Sequence, residues 1–184
     1  QDSVRPTSHY KYRPGRWVGE RVWPSPAIDE RSWRLTPHRL SAPTDVRQTE
    51  KGTMSFSSPL SVGLFAGKWC SYASGPDLAH DQRQEDGGAL VFETEPLEAP
   101  LEVLGAPVVT LDVAADQPVA MIAARLSDVR PNDEVTRITY GLLNLTHRNG
   151  GESPELLEPG KPYRVQVRLN EIAQRIPAGH KLRL

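Results

Sequence analysis

The chain has 184 residues, 38% hydrophobic and 24% charged, with 22 Lys and Arg against 23 Asp and Glu. A net charge of -1 offers no basis for general affinity to nucleic acid or to an anionic membrane, and no apolar run approaches the roughly 20 residues that span a bilayer. The single cysteine, Cys70, excludes an intrachain disulfide and a multi-cysteine metal site, so a cytoplasmic setting is expected.

Seventeen Pro and 14 Gly are spread between short apolar runs, the pattern of many turns and short strands. Residues 1–30 read as an irregular lead-in with no apolar leader region. In "RPGRWVGERVWPSP", Trp17 and Trp23 stand among Arg and Pro. Such interleaving can stack single-stranded bases, but the neutral charge favours packing against a neighbouring domain or sheet. "RSWRLTPHRL" predicts a short strand, "SFSSPLSVGLFAG" turns, and 67–88 a long loop.

"ALVFET" predicts a strand, and "PLEAPLEVLGAP" a second short piece bounded by Pro, which cannot sit inside a central ladder. In "VVTLDV", Val109, Leu111 and Val113 share one face. Residues 119–131 predict a strand into a turn. Residues 136–148 alternate Ile138, Tyr140 and Leu142, with a bulge expected at Gly141. "YRVQVRL" puts Tyr163, Val165, Val167 and Leu169 inward and Arg164, Gln166 and Arg168 outward. "NEIAQRI" predicts one helical turn capped by Asn170, and "AGHKLRL" the start of a last strand. Strands at this spacing predict an all-β fold: an antiparallel β-sandwich of the jelly-roll type.

The chain contains no complete catalytic set. No Ser has Gly at both minus two and plus two, so a nucleophile elbow is absent. Cys70 reads as a structural thiol beside Trp69 and Tyr72. His9, His38, His80, His147 and His180 form no metal-binding pair. Asp77, His80, Asp81, Glu85 and Asp86 crowd one loop. That loop could hold Ca²⁺, or stay solvated with Arg83 pairing one carboxylate; the spacing favours the second, and no metal or cofactor is expected. Glu93, Glu95, Glu98 and Glu102 fall along strands and turns. Glu93 and Glu95 read as a solvent face, although carboxylate pairs of a glycosidase are set by fold rather than spacing. The sequon "NLT" at 144–146 lies inside a strand pattern.

The joint occurrence of "HDQRQEDGGALVFETEPLEAPLEVLGAPVVTLDVAAD", "ARLSDVRP", "GLLNLTHR" and "LEPGKPYRVQVRLNEIAQRIPAGHKLRL" resembles the C-terminal domain of the cocaine-esterase and X-Pro dipeptidyl-peptidase serine hydrolases. The upstream "PGRWVGERVWP" fits the same pattern, and the likeness runs over residues 10–184. It implies a jelly roll of galactose-binding-like fold at 31–184, preceded at 1–30 by a connecting segment from an α/β-hydrolase domain. That domain would carry the Ser, His and Asp of an acyl-enzyme mechanism, and none of these roles transfers to this chain.

The chain is therefore expected to be a non-catalytic fragment whose partner is its own hydrolase domain, which it packs against while helping to wall the substrate cleft. The close at "GHKLRL" reads as a strand cut short, leaving a sheet edge through which a homodimer could form. Trp17, Trp23, Trp69, Asp81, Gln82 and Arg83 are the candidate interdomain contacts, with Arg83 held by carboxylates to fix its loop. A carbohydrate-binding module on the same fold is the alternative, with Trp69 and Tyr72 as its aromatic platform. A stand-alone interaction protein is the third reading.

Overall fold

The computed structural model describes residues 15–44, 52–68 and 78–184. Within them the fold is all-β and antiparallel, with one short helix and one 3-10 turn. A hairpin of β1 (Arg34–Thr36) and β2 (Arg39–Ser41) turns at His38, which takes a left-handed φ of 61°. One helical turn, α1 (Arg83–Asp86), stands inside the predicted long loop. The strands β3 (Leu101–Gly105), β4 (Val108–Val113), β5 (Met121–Val129) and β6 (Val135–Asn144) follow, and then β7 (Tyr163–Arg168), β8 (Ile172–Ile176) and β9 (Lys181–Arg183).

Two layers enclose the core. One is built on β6-β5-β9, extended through an isolated bridge at Glu93 toward β2 and β1. The other holds the pairs β3-β8 and β4-β7. Val109, Val167 and Leu169 of the second layer pack on Ala124, Ile122 and Leu126 of β5. Leu101 and Ile176 pack with Leu182 of β9 and Trp33. Alternation made these faces: in β7, Val165 and Val167 are buried while Arg164, Gln166 and Arg168 are exposed, and Leu169 just beyond is buried too.

Four expectations are corrected. "NEIAQRI" is not a helical turn but the strand β8, because β3 offers it a full antiparallel partner, from Leu101↔Ile176 to Gly105↔Ile172. Tertiary pairing overrides the weak local signal. "ALVFET" forms no ladder beyond the Glu93 bridge, although its backbone runs beside β9: Phe92 and Leu184 exchange two N–H···O bonds of 2.8 Å. The bulge is at Ile138, not Gly141. Register passes from Leu126↔Thr139 to Ser127↔Arg137, so Ile138 is the extra residue. Gly141 answers a different need, because a Cβ there would collide with the carbonyl of Arg168. Finally, β9 is not an open edge: β5 flanks one side of it and residues 92–94 the other.

Candidate functional site: the clamped acidic loop

The register of the three-stranded sheet sets up the site. Ser127 of β5 is opposite Arg137 of β6 on one side and opposite Arg183 of β9 on the other. Directly paired residues share a face, as do residues two apart along a strand. Arg125, Arg137 and Arg183 therefore project together from the face of the sheet turned away from the core, and the loop holding α1 lies over them.

The carboxylates of that loop meet two of the arginines, Arg125 and Arg183. Glu85 accepts from the backbone N–H of Gly63 and of Phe65, the latter at 2.6 Å, and from Arg125 at 3.4 Å. Asp86 accepts from Arg183 at 2.7 Å and from Arg125 at 3.2 Å. Glu93 takes the rest of Arg183, with the Nε–H donating at 2.8 Å. Lys181 approaches Glu93 at 3.6 Å. Arg137 donates to the carbonyl of Ala66, and its guanidinium lies 4.5 Å from the centre of the Tyr140 ring.

Burial tunes these groups. Desolvation holds the Asp86 carboxyl above its usual range, against the opposing pull of Arg183 and Arg125. Burial lowers the Arg137 pKa. Burial also works against the Arg183 charge, but hydrogen bonds to Asp86 and Glu93 outweigh it and its pKa is raised.

The loop predicted as solvated is thus an internal strut: Asp81, Gln82 and Glu85 are 2%, 0% and 1% exposed. Gln82 is a crosslink. Its amide donates to the carbonyls of His80 at 2.7 Å and Phe65 at 3.1 Å, and its backbone N–H to Val135 at 3.0 Å. Asp81 holds Arg83, whose Nε–H donates at 2.9 Å and backbone N–H at 3.0 Å. That hydrogen bond raises the Arg83 pKa, while its side chain stays half exposed. Of the sequence candidates, Asp81 and Gln82 therefore position, and Arg83 presents. Trp17 and Trp23 are exposed on the lead-in, where one guanidinium nitrogen of Arg16 donates to both carboxylate oxygens of Glu102 of β3 at 2.8 and 2.9 Å. Trp69, Cys70, Tyr72 and Asp77 lie outside the described residues.

The wider carboxylate pattern divides. Glu95 is exposed and pairs Arg39, whereas Glu93, expected on a solvent face, is drawn into the clamp because its bridge to β9 sets it beside Arg183. Asn144 of the sequon accepts from the N–H of Thr146 at 3.1 Å and from its hydroxyl at 2.9 Å, capping the 3-10 turn Leu145–His147. His180 meets the buried Asp128 at 2.7 Å. No group of three His, Cys, Asp or Glu able to hold a metal occurs among the described residues. No described helix is long and apolar enough to cross a membrane.

The clamp arginines went unread in the sequence. Alternation in "AARLSDV" does put Arg125 on the face opposite Ala124, but nothing local shows that β6 and β9 would flank Ser127 with two more.

Known proteins share this chain's pattern. Residues 3–184 match the family described as the X-Pro dipeptidyl-peptidase C-terminal non-catalytic domain. A protein named as a serine esterase from Mycobacterium bovis is 28% identical over 166 residues, covering 89% of this chain and 26% of the relative; a Mycobacterium tuberculosis protein of the same description matches equally. An α-amino acid ester hydrolase structure is 27% identical, with a TM-score of 0.54 over 56% of this chain and 19% of its own. Two further structures share the fold. An aminopeptidase from a marine-sediment Thaumarchaeota archaeon has a TM-score of 0.70 at 19% identity, over 91% of this chain and 30% of its own. A CocE/NonD family hydrolase from Staphylococcus aureus has a TM-score of 0.65 at 14% identity, over 98% and 32%. The chain spans about a quarter of the length of the mycobacterial relatives.

Proposed function

The chain belongs to the family of X-Pro dipeptidyl-peptidase C-terminal non-catalytic domains, and from that premise we propose that it packs on an α/β-fold serine hydrolase domain and helps to wall its substrate cleft. Residues 1–30 serve as the connecting segment and 31–184 as a jelly roll of the galactose-binding-like type. The parent is an acyl esterase or an X-Pro dipeptidyl-peptidase, and its catalytic groups belong to the hydrolase domain. One cysteine and no intrachain disulfide suit a cytoplasmic setting.

The observation that carries this reading is the family match over nearly the whole chain. The architecture of the loop supports it. Six ionic groups and a buried glutamine hold residues 78–88 rigidly without making a catalytic set, and this loop presents Arg83. A positioned loop with an exposed guanidinium suits docking on a partner surface. Trp17 and Trp23 supply apolar contact from the lead-in, where large exposed aromatics are suited to anchoring an interface.

Reconstitution tests the proposal. The hydrolase domain encoded upstream is expressed alone, and turnover of an ester and an X-Pro-anilide is measured against rising concentrations of this chain. A saturable change in kcat/KM supports it, and the preferred substrate names the parent reaction. No complex and no change, with both parts folded, overturns it.

A further inference from the structure

The face that carries the arginine clamp is only half covered. Toward Val129 and Val135 the loop of residues 78–88 lies over it. Toward the other end, Met121 and Leu142 stand bare at 69% and 59% exposure. Leu142 is the direct partner of Ala123, and Met121 is two residues along, so these three side chains adjoin. Val119, two residues before Met121, is also exposed, as is Leu156, whose neighbour Leu157 ties back to Pro118 at 2.9 Å. The opposite face of the same strands is core, with Ile122, Ala124 and Leu143.

The chain entering β5 thus reads Val-Ala-Met-Ile-Ala-Ala through residues 119–124, apolar on both faces. A strand with one wet face alternates apolar with polar; a continuous apolar run is the signature of a strand covered on both sides. Between the covered and the bare halves, the Arg137 guanidinium lies over the ring of Tyr140, two residues from Leu142, and donates to the carbonyl of Ala66; no carboxylate pairs with it among the described residues.

We infer that the bare half of the β5–β6 face is a seat of the hydrolase domain, which lays on it an apolar patch with a carboxylate at its edge to meet Arg137. This rests on the domain partnership proposed above and adds the surface through which it acts. The occupant follows from tethering. A domain in the same polypeptide meets this face at an effective concentration on the order of millimolar, far above that of a free second copy, and the relatives extend well beyond the matched region. Arg137 adds the charge complement that a symmetric contact between two identical apolar patches lacks.

Calorimetry of this chain with the separately expressed upstream hydrolase domain tests the inference. The double variant Met121→Gln/Leu142→Gln is expected to raise Kd by about tenfold or more. Val108→Gln, an exposed apolar site on the other layer, is expected to change it less than about twofold. Each single variant and the unfolding midpoint are followed as well, so that a folding defect is separated from lost contact. Unchanged affinity in a folded double variant overturns the assigned face and leaves the domain partnership standing. Absence of binding by the unaltered chain overturns both. Sedimentation that shows a dimer of this chain dissolved by the same substitutions gives the face to a second copy and overturns the inference.

Discussion

Arg183 of β9 donates to Asp86 of the helical turn α1 across 2.7 Å of space and 97 residues of sequence. Both side chains are largely buried, and Glu93 completes the arginine's partners. The contact closes the loop of residues 78–88 onto a sheet whose strands form much later in the chain. It also sets up an asymmetry. Burying the Asp86 charge costs more than its arginines return, so its carboxyl is held above the ordinary range.

Removing the cation is therefore expected to be worse than removing the anion. Arg183→Ala leaves Asp86 and Glu93 facing each other with less compensation, and should destabilise the fold by about 2–4 kcal/mol. Asp86→Asn, which discards the desolvated charge and keeps a polar group, should cost roughly half of that or less. Urea denaturation at neutral pH measures both, and equal losses would count against this account of the clamp.

The pH dependence has a definite sign. The Asp86 carboxyl is raised in the folded state from an unfolded value near 3.8. Its contribution to stability is fully present below that value and is lost as pH rises through the folded value. The stability of the native chain relative to Asp86→Asn should therefore fall as pH rises from below about 3.8, then level off above the folded pKa. Asp112, lowered by its hydrogen bond to Arg164, acts in the opposite sense in both proteins and drops out of the difference. Parallel denaturation series from acid to neutral pH test this, and a difference that grows with pH would contradict it.

Gly141 is required by close approach rather than by a turn. A Cβ at this position would meet the carbonyl of Arg168, the last residue of β7, well inside normal contact distance. Gly141→Ala should cost about 1–3 kcal/mol through the backbone shift it forces. Gly151→Ala, in open space with ordinary φ, should stay within about 0.5 kcal/mol. Comparable midpoints for the two variants would refute the close-approach account.

Trp17 projects fully into solvent. Trp17→Ala should leave the unfolding midpoint of this chain unchanged and should weaken its association with the hydrolase domain by about five- to tenfold. A shifted midpoint with unaltered association would place the indole in the fold instead of the interface.

The class of fold and most of the strands were legible in local residue patterns. Period-two alternation in "VVTLDV" and "YRVQVRL" is a local consequence of one buried face, so Val109, Val165, Val167 and Leu169 could be named as core before any pairing was known. The joint occurrence of its motifs also carried the family. Tertiary structure decided the rest. "NEIAQRI" became β8 because β3 was there to pair with it. Gln82 and Glu85, polar residues in a loop with every local sign of solvation, are buried because Arg125, Val135 and Phe65 arrive from distant segments to satisfy them, while Asp81 is buried beside its near neighbour Arg83. Arg125, Arg137 and Arg183 could not be read as a set, since only strand register brings β5, β6 and β9 side by side. Burial of a charge depends on partners remote in sequence, and local patterning carries no trace of them.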